Sequence, residues 1–317
     1  LNMVLYVIGL GLGDEKDITL RGLETVRKCK KCFLEYYTSI IGIDHKKLSE
    51  FYGVEVILAD RDFVESEAER IYEPAMNEDI GLLVVGDPLC ATTHTDIILR
   101  ARNLGIKVEV IHNTSVMGAI ASCGLQLYKF GYTISIPFFE TYWRPSSFYH
   151  RLRYNNQGGM HTLCLLDIKV KEPNYDAMMA GKLKYMPPRF MTVNQAIEQL
   201  LEVEDKYKQN YTDGDTTYGI GMARLGMIDQ LIVYGTLNEL RYVDFGEPLH
   251  CLAIVCKDSK IVQMDRELLG DDEYVVDGVH PIEIECLEHF SIANSKDLKY
   301  ITTNVNHVDV ESVEDDV

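Results

Sequence analysis

The sequence has 317 residues, 46% of them hydrophobic and 25% charged, and its formal net charge is −18 at pH 7. This composition is typical of a globular protein, and the acid excess argues against sequence-independent binding to nucleic acid or to an anionic membrane. The apolar stretches are too short to span a bilayer and no secretory leader is visible, so we expect a cytoplasmic protein with neither a membrane nor a nucleic acid as partner.

The first half of the chain alternates between strand and helix patterns. Helices are predicted over 18–26, 65–73, 95–104 and 116–127. Apolar strands are predicted over 4–8, 32–36, 54–58, 81–85 and 108–111. Strands that are apolar on both faces and separated by helices indicate an α/β fold whose parallel sheet is covered on both sides. Ligands of such sheets lie at the carboxyl ends of the strands.

The second half is richer in strands. Residues 138–160 combine Pro, Ser, Asn and Gly with aromatic residues, a texture typical of a linker. A helix is predicted over 193–207. Strands are predicted over 161–168, 217–223, 231–234 and 249–256. We therefore predict two α/β domains, 3–137 with a mainly parallel sheet and 161–292 with a mixed sheet. Residues 257–277 are predicted to be a surface insertion, and 293–317 an acidic tail.

Three loops are expected to meet at one edge of the first sheet. The glycine loop contains Gly9, Gly11 and Gly13; the second loop begins GDP at residues 86–88, and the third reads HNTS at 112–115. The spacing Gly-x-Gly-x-Gly differs from the dinucleotide fingerprint, and the acids of DEKD at 14–17 would repel a diphosphate, although Glu35 is placed like a ribose-binding acid. The glycines permit either close backbone approach to a flat, uncharged group or only a tight turn.

The chemistry of these three loops narrows the ligand class. They supply backbone groups, hydroxyls and the Asp87 carboxylate, but neither Lys nor Arg apart from Lys16 in the acidic stretch that follows the glycines. Such a site suits a ligand without phosphates that carries a purine-like ring and a positive charge facing Asp87.

The eight cysteines include one pair at the spacing of a zinc or redox half-site, Cys29 and Cys32 in CKKC. A complete site requires a second pair, and the pair Cys251 and Cys256 lies in a strand pattern. We therefore expect reduced thiols and no metal.

Long ordered motifs resemble the diphthine synthases, a branch of the tetrapyrrole-methylase class of S-adenosylmethionine-dependent methyltransferases. The resemblance runs from residue 3 to about residue 290. It rests on GLGLGDEKDIT, VVGDPLCATTHTD, GLQLYKFGYTISIPF, MHTLCLLDIKVKE, PPRFMTVNQA, ARLG and DFGEPLHCL. The resemblance implies methylation of the amino group, and in the eukaryotic form also of a carboxylate, of the 3-amino-3-carboxypropyl-histidine of translation elongation factor 2. It also implies a homodimer and S-adenosylmethionine bound between the two domains.

The same resemblance implies the residues that contact S-adenosylmethionine, largely through their backbone. They are Leu12, Asp87, Cys90, Ser115, Val116, Leu166, Leu225 and His250. Many relatives have Gly where Cys90 stands, so the thiol must point away from the ligand. Each residue also has a structural interpretation: the leucines as core, His250 as a hydrogen-bonded histidine, and Asp87 as the cap of a turn.

The reaction requires mainly placement and exclusion of water, because the substrate supplies the nucleophile. His94, His112 and His161 are candidate proton acceptors, and the sequence assigns the role to none of them. Aromatic faces suit a trimethylammonium product. Candidate aromatic residues near loop ends are Tyr36, Tyr37, Phe138, Phe139, Tyr142 and Trp143, which packing between domains also explains.

Three alternatives stay open on the sequence alone. One is a porphyrinoid or corrinoid methylase, which requires cations for a macrocycle with many carboxylates. The second is an RNA methyltransferase on the same fold, which the net charge disfavours. The third is a non-catalytic module that binds the elongation factor.

Overall fold

Two five-stranded β-sheets organise the chain. The computed structural model describes residues 3–42, 44–174, 178–179, 181, 184–257, 279–295 and 297–301. All of the insertion predicted over 257–277 except Lys257, and the tail beyond residue 301, lie outside the described residues. Before that point, residues 297–301 run beside the second domain: the amide of Asp244 donates to the Lys299 carbonyl at 2.8 Å.

The first sheet is entirely parallel, as predicted, with strand order β3-β2-β4-β1-β5. Its strands are β1 Val4–Gly9, β2 Lys31–Glu35, β3 Val56–Ala59, β4 Ile80–Val84 and β5 Lys107–Ile111. Alternation along β1 sends Leu5 and Val7 into one hydrophobic cluster and Ile8 into a second cluster on the opposite face. The sheet is therefore buried on both sides, which explains why its strands read as continuous apolar runs.

Helices cover both faces of this sheet. The described α-helices of the first half are Leu20–Val26, His45–Tyr52, Arg61–Glu65, Glu69–Tyr72, Thr95–Asn103 and Val116–Ala119. Thr19 is the N-cap of the first helix, and its hydroxyl accepts from the Gly22 amide at 3.0 Å. The helix predicted over 65–73 begins at residue 69 and follows a separate short helix, so the predicted start was wrong.

The helix predicted over 116–127 is also wrong in extent. The α-helix ends at Ala119, a 3₁₀ turn covers Ile120–Cys123, and Gly124 has a φ of +93°. A side chain at Gly124 would meet the side chain of Cys286. Ile120 and Leu125 are buried in the cluster that covers one face of the second sheet. This segment therefore crosses between the sheets, and its close approach to Cys286 requires the left-handed glycine.

The second sheet is mixed, also as predicted, with order β11-β10-β12-β7-β6. Its strands are β6 Ile134–Ile136, β7 Thr162–Leu166, β10 Tyr218–Ala223, β11 Leu231–Thr236 and β12 His250–Ile254. Only β6 and β7 are parallel neighbours. A short hairpin, β8 Ile168–Lys169 with β9 Arg189–Phe190, follows β7. Because β6 already belongs to this sheet, we propose that the second domain begins before residue 137.

Helices also cover the second sheet. The described α-helices of this half are Ser147–Gln157, Val193–Tyr207, Leu237–Leu240 and Pro281–Glu288. The helix Val193–Tyr207 has the predicted bounds and begins with a capping box between Thr192 and Gln195. The predicted linker 138–160 contains the helix Ser147–Gln157, which the sequence prediction missed. Phe148, Tyr149 and Leu152 bury this helix in the core of the second domain.

The two thiols of the CKKC motif lie in the interior of the protein. Cys29 and Cys32 are buried, and the Cys29 thiol donates to the Thr25 carbonyl at 3.3 Å. The hydrogen bond with Cys29, together with burial, raises the pKa of the Cys32 thiol. Among the residues that the structure describes, no group of three or more His, Cys, Asp or Glu side chains is arranged to hold a metal ion. No helix in the same part of the chain has the length and apolar character that a bilayer crossing demands.

Candidate active site

A cavity of about 400 Å³ lies between the two sheets. Each of the five parallel strands of the first sheet contributes residues that follow its carboxyl end, and the facing wall comes from the second sheet and its loops. This size falls within the range of about 300–1,000 Å³ that is usual for small-molecule sites. The cavity therefore lies at the carboxyl ends of the parallel strands, where the ligands of such sheets bind.

All eight residues that the resemblance selected line this one cavity. They are Leu12, Asp87, Cys90, Ser115, Val116, Leu166, Leu225 and His250. Leu12 of the first domain approaches the second domain: a Cβ on Gly226 would meet the Leu12 Cβ at 3.1 Å. The structure brings the eight residues together, and their role as ligand contacts remains a proposal.

The glycines of the first loop allow loops to approach one another. A Cβ on Gly9 would meet the Gly86 carbonyl oxygen at 2.6 Å and the Asn113 Cβ at 2.8 Å. Gly11 has a φ of +82°, and its carbonyl accepts from the Gly86 amide at 2.7 Å. The three-glycine pattern therefore serves a tight turn and the docking of the second and third loops against the first.

Asp87 joins the second loop to the third. Its Oδ1 accepts from the Leu89 amide at 2.9 Å, and its Oδ2 lies 2.8 Å from His112 Nδ1 and accepts from the Asn113 amide at 3.1 Å. Burial raises the pKa of Asp87, but the hydrogen bonds from Leu89, His112 and Asn113 outweigh it and lower the pKa below its usual value. The carboxylate is therefore ionised, and both of its oxygens are already engaged by the protein.

Asn113 completes the connection between the three loops. Its side-chain amide donates to the Gly9 and Asp17 carbonyls, both at 3.0 Å. Asp17 in turn accepts from the Gly13 amide at 2.7 Å. The acid at Asp17, which we expected to repel anions, is thus held inside the loop it follows.

The third loop ends at a short helix that faces the cavity. Ser115 is its N-cap, and the hydroxyl accepts from the Met117 amide at 3.2 Å. Val116 is partly buried against the second sheet. Cys90 is exposed at the cavity rim. These residues contribute to the wall of the cavity that the first domain provides.

The wall from the second domain is fixed by Arg224 and His250. The Arg224 guanidinium donates to the carbonyls of Phe245 and Glu247 and pairs with Asp229 at 2.7 Å. His250 Nε2 lies 3.0 Å from the Glu247 carbonyl, and its Nδ1 accepts from the Val193 amide. Burial lowers the pKa of His250, although the backbone carbonyls oppose this shift. Both side chains therefore hold the loops that carry Leu225 and Leu249.

The three candidate proton acceptors occupy different places. His112 is mostly exposed and lies against Asp87. His94 is buried, and its Nδ1 lies 3.1 Å from the Pro88 carbonyl. His161 accepts from the Cys256 amide at 3.1 Å, and its Nε2 is 3.4 Å from Glu283 in the second core. None of the three is among the described residues that line the cavity, so the proton acceptor stays unassigned.

The aromatic candidates also occupy different places in the structure. Tyr37 lines the cavity, whereas Phe138 is buried beneath the Arg189 guanidinium, which lies 4.2 Å from its ring centroid. Tyr142 is 99% exposed and Trp143 is 53% exposed. Tyr37 is therefore the one member of that predicted set that faces the cavity.

Sequence reasoning missed three charged residues of the cavity wall, Arg61, Asp167 and Arg224. Arg61 follows the carboxyl end of β3, so the strand-end rule applied to the third strand would have found it. Asp167 follows Leu166 directly and lacked a separate signal. Beside them, Glu35 accepts from the amides of Tyr37 and Thr38 at 2.8 and 2.7 Å and so shapes the loop after β2.

The chain has close relatives among known proteins. The profile of the Tetrapyrrole (Corrin/Porphyrin) Methylases matches residues 4–241. The diphthine methyl ester synthase of Dictyostelium discoideum is 52% identical over 265 residues, which are 83% of this chain and 96% of that protein. The diphthine methyl ester synthase of Homo sapiens is 48% identical over 292 residues, 91% of this chain and 95% of that protein. A crystal structure of diphthine synthase aligns at a TM-score of 0.72 and 29% identity, over 91% of this chain and 96% of that one.

Proposed function

We propose, from the premise that the chain belongs to the tetrapyrrole methylases and within them to the diphthine methyl ester synthases, that its cleft binds S-adenosylmethionine. Membership of this family makes the chain a methyltransferase of diphthamide biosynthesis. The observation that carries the proposal for the cleft is that all eight residues selected by the resemblance line one cavity between the sheets.

The chemistry of the cavity wall fits this methyl donor. The first three loops meet the cavity mainly with backbone and small or apolar residues, and Asp87 is the only ionisable side chain they contribute to its lining apart from the exposed Cys90 thiol. The guanidinium of Arg224 is engaged by Asp229 and by carbonyl groups. These three loops therefore offer no cation to a phosphate group, which favours a ligand without phosphates over a nucleotide. Leu12, Val116, Leu166 and Leu225 offer apolar surface for a flat ring.

Asp87 contributes to this site through the loops it joins. We expected its carboxylate to face the positive charge of the ligand, but its two oxygens already accept three hydrogen bonds from the protein. Asp87 therefore positions the backbone of the second and third loops, and its negative charge acts on the ligand through the field of a buried carboxylate.

Methyl transfer at this site depends on placement. The sulfonium group of the donor supplies an activated methyl group when it is bound. The chain itself encloses the reacting groups between two apolar walls, excludes water and fixes the approach of the nucleophile. No side chain of the cavity needs to form a covalent bond, and His250, the one histidine among the described residues that line it, is held by backbone groups.

We infer from the family that the acceptor is the amino group, and in the eukaryotic form also a carboxylate, of the 3-amino-3-carboxypropyl-histidine of translation elongation factor 2. We likewise propose a cytoplasmic homodimer. The protein substrate presents a single modified side chain to the cavity. A non-catalytic role is disfavoured because the loops that line the cavity are intact.

The two catalytic alternatives fit the cavity less well. A porphyrinoid macrocycle carries many carboxylates, and among the described residues that line the cavity Arg61 and Arg224 are the only cations apart from histidine. Arg224 already binds Asp229 and backbone carbonyl groups, which leaves Arg61 as the one cation of these two for a macrocycle. An RNA substrate requires a basic face, which a chain of net charge −18 disfavours.

The test is mass spectrometry of elongation factor 2 that carries the aminocarboxypropyl group, after incubation with this protein and S-adenosylmethionine. We expect a gain of four methyl groups, and no gain for elongation factor 2 that lacks the aminocarboxypropyl group or in the absence of the donor. A gain of three would restrict the activity to the amine. No gain, with the donor bound, would contradict the proposed function.

A further inference from the structure

We propose that Arg61 and Asp167 form the acceptor-recognition pair of the cavity: Arg61 binds the carboxylate and Asp167 the amino group of the aminocarboxypropyl arm. This inference rests on the proposed function and deepens it. Both residues line the cavity, and neither belongs to the set that the resemblance implies for the donor. They are also the only two ionised side chains of the lining, within the described residues, whose hydrogen-bonding capacity is not filled by the protein's own loops.

The two residues belong to different sheets and both line the cavity, and an ion pair connects the segments that carry them. Arg61 directly follows Asp60, the N-cap residue after β3 of the first sheet. Asp167 follows β7 of the second sheet and precedes the β8 hairpin strand. The ammonium of Lys171, just beyond β8, pairs with the Asp60 carboxylate and so joins the two segments. An arm that enters between these segments therefore has one residue of the pair on each side.

The Arg61 guanidinium is oriented by its neighbours, but its hydrogen-bond donors have no acceptor among the described residues. It lies over the Tyr37 ring, 5.1 Å from the centroid, and its Nε is 3.8 Å from a Glu65 oxygen. Within the described part of the chain it donates no hydrogen bond. A planar guanidinium with free donors binds a carboxylate through two parallel hydrogen bonds, and the ring beneath it limits its motion. Arg224, the other arginine of the cavity, has no such capacity left.

Only one oxygen of the Asp167 carboxylate accepts a hydrogen bond from the described residues. Its Oδ2 accepts from the Phe138 amide at 3.0 Å and lies 3.7 Å from Lys169 Nζ. Its Oδ1 accepts no hydrogen bond from the described residues. The hydrogen bond to Phe138 fixes the carboxylate, and the second oxygen stays available to a cation or an amine donor. Asp87 differs, because both of its oxygens are engaged.

The pair suits the charges of the reaction. When the amine attacks, its lone pair forms the new bond to the methyl carbon, and the electrons of the broken carbon–sulfur bond stay on sulfur. The positive charge thereby moves from sulfur to nitrogen, and each N-methylation releases one proton to solvent. A fixed carboxylate beside the nitrogen stabilises that charge as it develops. Arg61 holds the neighbouring carboxylate, which keeps the amine pointed at the donor.

The experiment compares Arg61→Gln, Arg61→Lys and Asp167→Asn in the full chain. The amide side chain of Asp167→Asn keeps an oxygen that can accept from the Phe138 amide, but it loses the negative charge. Arg70→Gln is the matched arginine control, because Arg70 also stacks on an aromatic ring, that of Phe63, and pairs with a glutamate outside the cavity. Asp213→Asn is the matched aspartate control, since Asp213 caps a turn away from the cavity.

Two quantities are measured for each variant: the affinity for S-adenosylhomocysteine by calorimetry, and kcat/KM for methylation of the modified elongation factor 2. We expect kcat/KM to fall at least about tenfold for Arg61→Gln and Asp167→Asn, with partial recovery in Arg61→Lys, because a charged hydrogen bond to the substrate is lost. We expect the affinity for S-adenosylhomocysteine to stay within about twofold of wild type, because the proposal assigns the pair to the acceptor and independent contacts do not couple. The two control variants should match wild type in both.

Three outcomes overturn the inference. Wild-type kcat/KM in both Arg61→Gln and Asp167→Asn would show that neither charge contacts the substrate. A parallel loss of S-adenosylhomocysteine affinity would assign the pair to the donor. Failure of the wild-type protein to methylate the elongation factor would refute the proposed function itself, and the inference with it, which separates that failure from the other two.

Discussion

His112 Nδ1 lies 2.8 Å from Asp87 Oδ2, and this contact joins the ends of the two strands that flank the strand β1 of the first sheet. Asp87 follows β4 and His112 follows β5, and the glycine loop after β1 lies between them. The carboxylate therefore acts as a clamp across three loops. Its importance for ligand binding follows from the loop backbone that it positions.

The first prediction concerns this clamp. Asp87→Asn keeps one acceptor oxygen but loses the charge that holds His112 and the Asn113 amide. We expect the free energy of unfolding to fall by about 1–3 kcal/mol, the cost of breaking charged hydrogen bonds at a buried group. The affinity for S-adenosylhomocysteine should fall by about tenfold as the loops lose register. Asp96→Asn, at an exposed helical ion pair with Arg100, is the control. Unaltered affinity in a folded Asp87→Asn protein would remove Asp87 from the site.

The second prediction concerns the glycine loop. In Gly9→Ala, the added methyl group would meet the Gly86 carbonyl oxygen and Asn113, so the loops must separate. We expect a loss of about 1–3 kcal/mol in unfolding free energy, the usual cost of overpacking, together with weaker donor binding. Gly118→Ala is the matched control, because a methyl group there meets no atom within 4 Å and lies in a helix. Chemical denaturation and calorimetry measure both quantities, and equal behaviour of the two variants would refute the close-approach explanation.

Part of the site could be predicted from the sequence because it depends on local sequence patterns. The first-sheet strands are apolar on both faces, and glycine or polar residues end them, so the gathering of their loops at one sheet edge was predictable. The α/β fold with a parallel and a mixed sheet was predicted and is confirmed. The helix Val193–Tyr207 was predicted with its observed bounds because one face is apolar at helical spacing, and the structure adds a capping box at Thr192.

Other features depend on contacts between distant parts of the chain. The helix Ser147–Gln157 contains Arg, Asn and Gln, and Phe148 and Tyr149 are buried through contacts with distant parts of the chain, so no local pattern marked it. Gly124 ends the segment after Val116 because Cys286 approaches it from a distant helix. The position of His161 beside Glu283, rather than at the cavity, likewise depends on the packing of the C-terminal helix.

The third prediction concerns the acid sensitivity of the second domain. Glu204 is buried, and its two oxygens accept from the amides of residues 209–212 and from the Tyr149 hydroxyl, at 2.6–2.9 Å. Burial raises the pKa of Glu204, but these hydrogen bonds outweigh it and hold the pKa below its usual value. A carboxyl group with a lowered folded-state pKa contributes stability above its unfolded pKa of about 4.3, and that stability is lost as the pH falls through the folded value.

We therefore expect Glu204→Gln to destabilise the protein by about 2–4 kcal/mol near pH 7, because several charged hydrogen bonds are lost. The difference from wild type should shrink as the pH falls below about 4.3, where wild-type Glu204 also begins to bind a proton. Urea denaturation at a series of pH values measures it, with Glu202→Gln, at an exposed pair with Arg144, as the control. A difference independent of pH would contradict the role of the ionised carboxylate.

We propose that the cavity between the two sheets holds the methyl donor. The most direct measurement is a crystal structure of this protein grown with S-adenosylhomocysteine. We expect density for the ligand between the sheets, in contact with the backbone near Leu12, Ser115 and Leu225, with Arg61 and Asp167 left free for the acceptor. Density at another surface, or an empty cavity under conditions where calorimetry detects binding, would contradict this proposal.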